Sequence, residues 1–349
     1  MNIEDLIKNT DDNHPLKQAY LCRHRYYTDF LNTMKIFQAN LTKKEFDNIL
    51  KKFQFNKAFD AQKYLQVVSE INVLYYILRF YNNHFKYEPK YNNGYNPECS
   101  FRFQDKTINL EVKCPNMKKR IEEEQRNTVK IFSAERISDH ESIINEVKNI
   151  IMPNLKDLEF SGVEEISRMD NKLKDFLISA QAKFPASDDS NFNILAISLD
   201  IIPDLDEWYS YIWGQTGVFT DHTFVEENYE SVDAILLTTP MCSHIRWSCN
   251  TENDMWKLEE SINLLFLNPD RECSETGKFY FSEGMKIFGG LTYNFLCFQG
   301  ELDKQEIKKY ESEKYSPQDD PERYFSFKET DLHIITSFFN YLSQKSKMK

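Results

Sequence analysis

The chain has 349 residues, 41% hydrophobic and 14% aromatic, enough apolar mass for one large core or two modest ones. No apolar run approaches the ~20 residues of a membrane helix, and the acidic start MNIEDLIKNTDD lacks the apolar heart of a secretory signal. Seven cysteines without a CxxC pair read as reduced cytoplasmic thiols, and a net charge of −12 argues against a protein that coats nucleic acid regardless of sequence.

In chain order, the first stretch departs from the acidic average. Residues 15–57 hold nine Lys/Arg against three Asp/Glu, so the remainder carries −18. The same stretch contains Tyr20, Tyr26, Tyr27, Phe30, Phe37, Phe46, Phe53 and Phe55. Two readings stand side by side: a basic, aromatic face that suits a nucleic-acid backbone, or ordinary helices with buried rings and solvated lysines. Residues 1–58 are expected to form this helical, basic N-terminal region, with NLTKKEFDNILKKF a clear amphipathic helix.

A long helix is predicted over residues 61–81, followed by three strands in HFKYEP, CSFRF and INLEVKC. QDKT (Gln104–Thr107) is a tight turn between the last two. Residues 116–165 are charged and read as a helical insertion. NKLKDFLISAQAKF is a further helix, with Leu173, Phe176, Leu177, Ala180 and Phe184 on one stripe. FNILAISLD, VDAILLTT and INLLFLNP are near-continuous apolar runs, the pattern of strands buried on both faces. KFYFSEG and NFLCFQ follow, and residues 301–349 read as an acidic loop and an amphipathic helix around DLHIITSFFNYL. There is no internal repeat. The order predicts an α/β fold with a central mixed sheet flanked by helices, its core spanning residues 59–300.

Within the third strand, INLEVKCP (Ile108–Pro115) sets a glutamate and a lysine two positions apart. Strand alternation places Ile108, Leu110 and Val112 on one face and Asn109, Glu111 and Lys113 on the other, so the two charges lie side by side at the margin of the core. Glu146 and Glu306 head further Glu-x-Lys triplets that lack that context. Glu146 follows SDHE (Ser138–Glu141), a capping-box pattern, and lies in a stretch with helical spacing. Glu306 belongs to ELDKQEIKKY, a solvated charged run. If QDKT is the turn, Glu98 of YNPECSFRF lies on the strand beside Glu111. Glu70, in LQVVSEINVLYYIL, shares its helical stripe with Val67, Leu74 and Ile77, so it faces the core, where an acid is either structurally paired or a metal ligand. Carboxylates with one lysine have a definite chemistry: hard oxygens hold Mg²⁺, and the lysine orients water or stabilises charge on a phosphoryl oxygen.

At these residues the chain resembles the PD-(D/E)xK nuclease superfamily, the restriction-endonuclease-like fold. The family pattern runs from an acid on a core helix to Pro-Asp at one strand and Asp/Glu-x-Lys on the next, matched here by Glu70, Pro97-Glu98 and Glu111-Val112-Lys113. The resemblance implies that Glu98 and Glu111 ligate Mg²⁺ or Mn²⁺ with help from the Val112 carbonyl. It implies that Lys113 is the catalytic lysine and that Glu70 is a further metal or water contact. Gln181, in ISAQAKF, matches the polar residue the family often adds from the following helix. The resemblance spans about residues 61–270, and it departs from the family in having Glu after Pro97 and a long insertion after Lys113.

Other candidates are poorer. Cys242, His244 and Cys249 in CSHIRWSC have soft-metal donors, but their spacing fits no zinc pattern and no fourth ligand is evident. WGQTGVF (Trp213–Phe219) lacks the GK[ST] ending of a phosphate loop and reads as an aromatic loop near a substrate. The expectation is a cytoplasmic, metal-dependent nuclease acting on DNA in restriction, defence or repair. A nuclease-like fold that binds nucleic acid or protein without cleavage is the alternative. A membrane partner is not expected, and assembly as a homodimer or with another subunit stays open.

Overall fold

Capping chemistry starts the first helices where the chain turns polar. α1 (Ile3–Lys8) begins where the Asn2 side chain accepts from the Glu4 amide, and α2 (Pro15–Leu21) where the His14 ring accepts from the Leu16 amide with Pro15 at the first helical position. α3 (Arg25–Asn40) follows, and α4 (Lys43–Lys52) opens on a capping box between Thr42 and Glu45. α5 (Ala61–Phe80), capped by Asp60, is apolar nearly all round and correspondingly buried on most of its surface. The computed structural model describes residues 2–91, 96–116, 122, 126–133, 140–154, 162–167, 169–188, 190–199, 204–213, 217–219, 229–249, 253–268, 287–288, 291, 295–298 and 326–327.

β1 (Lys86–Tyr87), β2 (Cys99–Phe103) and β3 (Lys106–Lys113) form an antiparallel meander. Phe103 pairs with Lys106, so the β2–β3 connection is a two-residue turn, Gln104–Asp105, with Gln104 at φ 54° as such hairpin turns require. β6 (Asn191–Ser198) and β7 (Ala234–Thr238) add in parallel, β8 (Asn263–Leu267) is antiparallel to β7, and β9 (Phe295–Phe298) and β10 (Ser326–Phe327) continue in parallel. The described strands thus form a mixed sheet in the order β1-β2-β3-β6-β7-β8-β9-β10.

Both faces are covered, which is why the central strands are apolar throughout. Phe192, Ile194, Ala196, Ala234, Leu236 and Leu265 face one core, shared with α5 and the N-terminal helices. Leu195, Ile197, Ile235, Leu237, Leu264 and Phe266 face the other, built with α7 (Met169–Lys183) and α8 (Asp204–Trp213). The stripe of Leu173, Leu177, Ala180 and Phe184 is buried there, with Phe176 packed against it. α9 (Pro240–Ile245) packs on α5.

Several expectations change. Residues 116–165 are not purely helical: β4 (Val129–Ser133) and β5 (Val163–Ser167) pair in parallel around α6 (His140–Asn154) as a small second sheet. VKIFS and VEEIS are short and carry no sustained period-two apolar pattern, so they do not stand out among the charges around them. Of the two readings of the N-terminal aromatics, the ordinary helical one describes the rings: Tyr26, Phe30, Phe37 and Phe53 are fully buried, and Phe30 and Phe53 lie against Trp256. Trp213 and Phe219 are buried in the second core rather than presented in a loop near a substrate. KFYFSEG, Glu306 and the DLHIITSFFNYL helix lie outside the described residues. Among the described residues, no helix is long and apolar enough to cross a membrane.

Candidate active site

The β2–β3 hairpin places Cys99 opposite Leu110, which brings Glu98, just before β2, beside Glu111. β3 is an interior strand of the sheet. It lies between β2 and β6, and the site forms at its C-terminal end. Ile108 and Leu110 pack into the first core, while Asn109 and Glu111 turn to the α7 side and are fully buried. Asn109 is satisfied by donating to Asn193 Oδ1 at 2.8 Å. Glu111 needs charge to balance it. Its Oε1 accepts from Lys183 Nζ at 2.6 Å and is ion-paired with Lys113 Nζ at 2.9 Å, and its Oε2 is buried without a hydrogen-bond partner. An unpaired oxygen on a buried carboxylate is costly.

A second charge cluster stands on the other side of the strand ends. Lys52, the last residue of α4, reaches Glu70 of α5 at 2.7 Å, Glu88 at 3.5 Å and Glu98 at 3.7 Å. The Tyr87 hydroxyl donates to Glu70 at 3.5 Å, and Lys52 lies over the Tyr87 ring. Burial and the charge of Glu70 push the Glu98 carboxyl from its ordinary 4.5 up to about 8, although Lys52 pulls the other way, and Glu111 and Lys183 are also near enough to act on it. The surrounding carboxylates raise the Lys52 ammonium well above its usual range despite burial, so this lysine stays charged. Together Glu70, Glu88, Glu98 and Glu111 face Lys52, Lys113 and Lys183, an excess of one negative charge that a proton on Glu98 would cancel.

The expected set of Glu70, Glu98, Glu111 and Lys113 is therefore brought to one end of the sheet. Val112 lines the same cleft as Glu70 and Lys113. Gln181 sits on α7 two residues before Lys183, and its Oε1 is buried without a partner. Glu146 is exposed on α6, which packs on the second sheet. Two participants, Lys52 and Lys183, were missed. Lys52 closes the amphipathic LKKF and Lys183 closes AQAKF, and in each case the apolar stripe drew the eye past the charge.

The donor chemistry suits a hard cation: carboxylate oxygens, one of them orphaned, and a glutamate made to hold a proton where a cation would let it ionise. Among the described residues, however, no group of three His, Cys, Asp or Glu stands close enough to hold a metal ion as placed, because lysines divide the acids into two clusters. The soft-donor alternative fails on geometry. His244 is buried with Nδ1 against the Tyr26 hydroxyl at 2.6 Å and Nε2 against Asn72 Oδ1 at 2.9 Å, which occupies both ring nitrogens, and Cys249 is exposed.

The site opens into a cleft of about 800 Å³ between the α4–α5 connection and the end of β3. No family model, no curated protein and no solved structure matches this chain.

Proposed function

We propose that the protein is a metal-dependent nuclease that hydrolyses phosphodiester bonds in DNA, in a restriction, defence or repair role. One observation carries this reading: Glu70 and Lys113 line one lysine-rich cleft, and two of its lysines, Lys52 and Lys113, tie Glu98 and Glu111 to it by ion pairs at 3.7 and 2.9 Å. The order of α5, an antiparallel meander, α7 and a parallel β6 supports the restriction-endonuclease-like core that the resemblance implies.

Glu98 and Glu111, with Glu70 and the Val112 carbonyl, are the groups that would hold Mg²⁺ or Mn²⁺. When bound, the ion supplies positive charge at a phosphoryl oxygen and eases deprotonation of a water molecule. The chain's own residues do the rest. Lys113, held at 2.9 Å from Glu111, keeps an ammonium at the strand end, where it can orient water and stabilise charge growing on the phosphate. Glu98, whose proton is favoured by burial and by Glu70, would ionise beside a bound cation. Lys52 and Lys183 hold the carboxylates in position until then.

Supercoiled plasmid incubated with the protein and Mg²⁺ or Mn²⁺ should be nicked or linearised, and EDTA should stop the reaction. Lys113→Ala and Glu111→Gln should each lower the rate by roughly 10² or more. Absence of cleavage with either metal would favour the second reading, a nuclease-like binding module without catalysis. The specific observation behind that reading is that three lysines already pair with the four acids of the described site.

A further inference from the structure

The cleft has a charge of its own. Lys51, Lys52, Lys57, Lys63 and Lys113 line it against Asp60 and Glu70, an excess of three positive charges in a protein whose net charge is −12. Lys52 and Lys113 are committed to the carboxylates. Lys51 and Lys57 are exposed and form no ion pair among the described residues, and the exposed Lys63 pairs only with Asp60, three residues away, at 3.3 Å. Such a surface pair is worth little and yields readily to a phosphate. Two other lining side chains are spent within the protein. Phe59, its aromatic residue, is packed against His14 and Tyr64, and Gln54 spends its amide group on the backbone of Asp60.

We infer that Lys51, Lys57 and Lys63 form a phosphate-binding track that seats the nucleic-acid backbone beside the scissile position, by charge and without base recognition. The track deepens the nuclease reading and rests on it for the identity of the anion. The volume, about 800 Å³, lies in the ~300–1,000 Å³ range of sites that enclose one compact ligand, so the cleft takes the backbone of one strand of a duplex over a few nucleotides. Backbone contacts of this kind position a substrate and carry no sequence information.

The test is binding of a short fluorescein-labelled DNA duplex in EDTA, by anisotropy, across a range of KCl. Each phosphate contact contributes about 0.9 to the log–log salt slope on duplex DNA, so Lys51→Gln with Lys57→Gln should lower the slope by about 1.8, and adding Lys63→Gln by about 2.7. Removing the same charge from the exposed Lys35, Lys43 and Lys44, which do not line the cleft, should leave the slope unchanged. The loss should be equal for two unrelated DNA sequences. An unchanged slope in the cleft variants, an equal fall in the control, or a loss confined to one sequence would each overturn the assignment. Failure of the track is distinguishable from failure of the nuclease reading. Cleavage by the wild type with an unaltered slope sinks the track alone, whereas a lowered slope without cleavage in Mg²⁺ or Mn²⁺ sinks hydrolysis alone.

Discussion

Glu98 lies under two pressures that act in the same direction: burial disfavours its charge, and Glu70 repels it. Its folded-state proton affinity, at about 8, therefore exceeds the ordinary 4.5 of an unfolded chain. A group of this kind stabilises the fold when protonated. Its contribution is fully present below about pH 4.5 and is lost as pH rises through about 8. Glu98→Gln mimics the protonated state at every pH. In EDTA, the melting temperature of the wild type should fall relative to that of Glu98→Gln as pH is raised across this window. Parallel curves for the two proteins would show that the carboxyl is ionised throughout.

Between elements, the N-terminal helices are fastened to the sheet layer by a buried polar chain. The Tyr26 hydroxyl of α3 meets Tyr64 of α5 at 2.7 Å and His244 of α9 at 2.6 Å, and Asn72 links His244 to the Met255 carbonyl. Burial holds the His244 imidazole down at about 3, so it is neutral near pH 7 and must find partners for a donor and an acceptor. Tyr26→Phe removes one partner and keeps the ring, and should cost about 1–3 kcal/mol in urea unfolding for the group left unsatisfied. This network shows what a sequence hides. His244 drew notice through its neighbours Cys242 and Cys249, whereas its real partners lie 172 and 218 residues away. Local periodicity made the strands legible, since alternation in INLEVKC and unbroken apolar runs in β6, β7 and β8 each follow from which faces are covered. The pairing of Glu98 with Glu111 followed from one turn. Lys52 and Lys183 did not follow, because which cation meets a buried acid is decided by how helices dock and not by any spacing along the chain.

Across the whole molecule, a bound divalent ion should report on the site through stability. An ion that binds the folded state and not the unfolded chain adds about 2.7 kcal/mol at a hundredfold excess over its dissociation constant. Mg²⁺ or Mn²⁺ should raise the melting temperature of the wild type, and Glu111→Gln should remove most of that rise. Lys113→Ala leaves the oxygens in place and should keep it. Glu146→Gln, on the exposed face of α6, should behave as the wild type does. Equal responses from Glu111→Gln and Glu146→Gln, with no cleavage by the wild type, would mark the charges as an ion-pair cluster and favour the binding module.

The parallel pairing of β3 with β6 also sets a timetable. The two strands are joined through residues 114–190, which include the second sheet and α7. Lengthening such a connection costs little at equilibrium, about 0.6 kcal/mol per doubling, yet a distant parallel pairing is slow to find. The β2–β3 hairpin can close early and carries Glu111 and Lys113 with it. Lys183 arrives only with α7, when this connection has folded back onto β3. If the hairpin closes before this connection docks, Glu111 is sealed from water in the same event that delivers its second counter-charge.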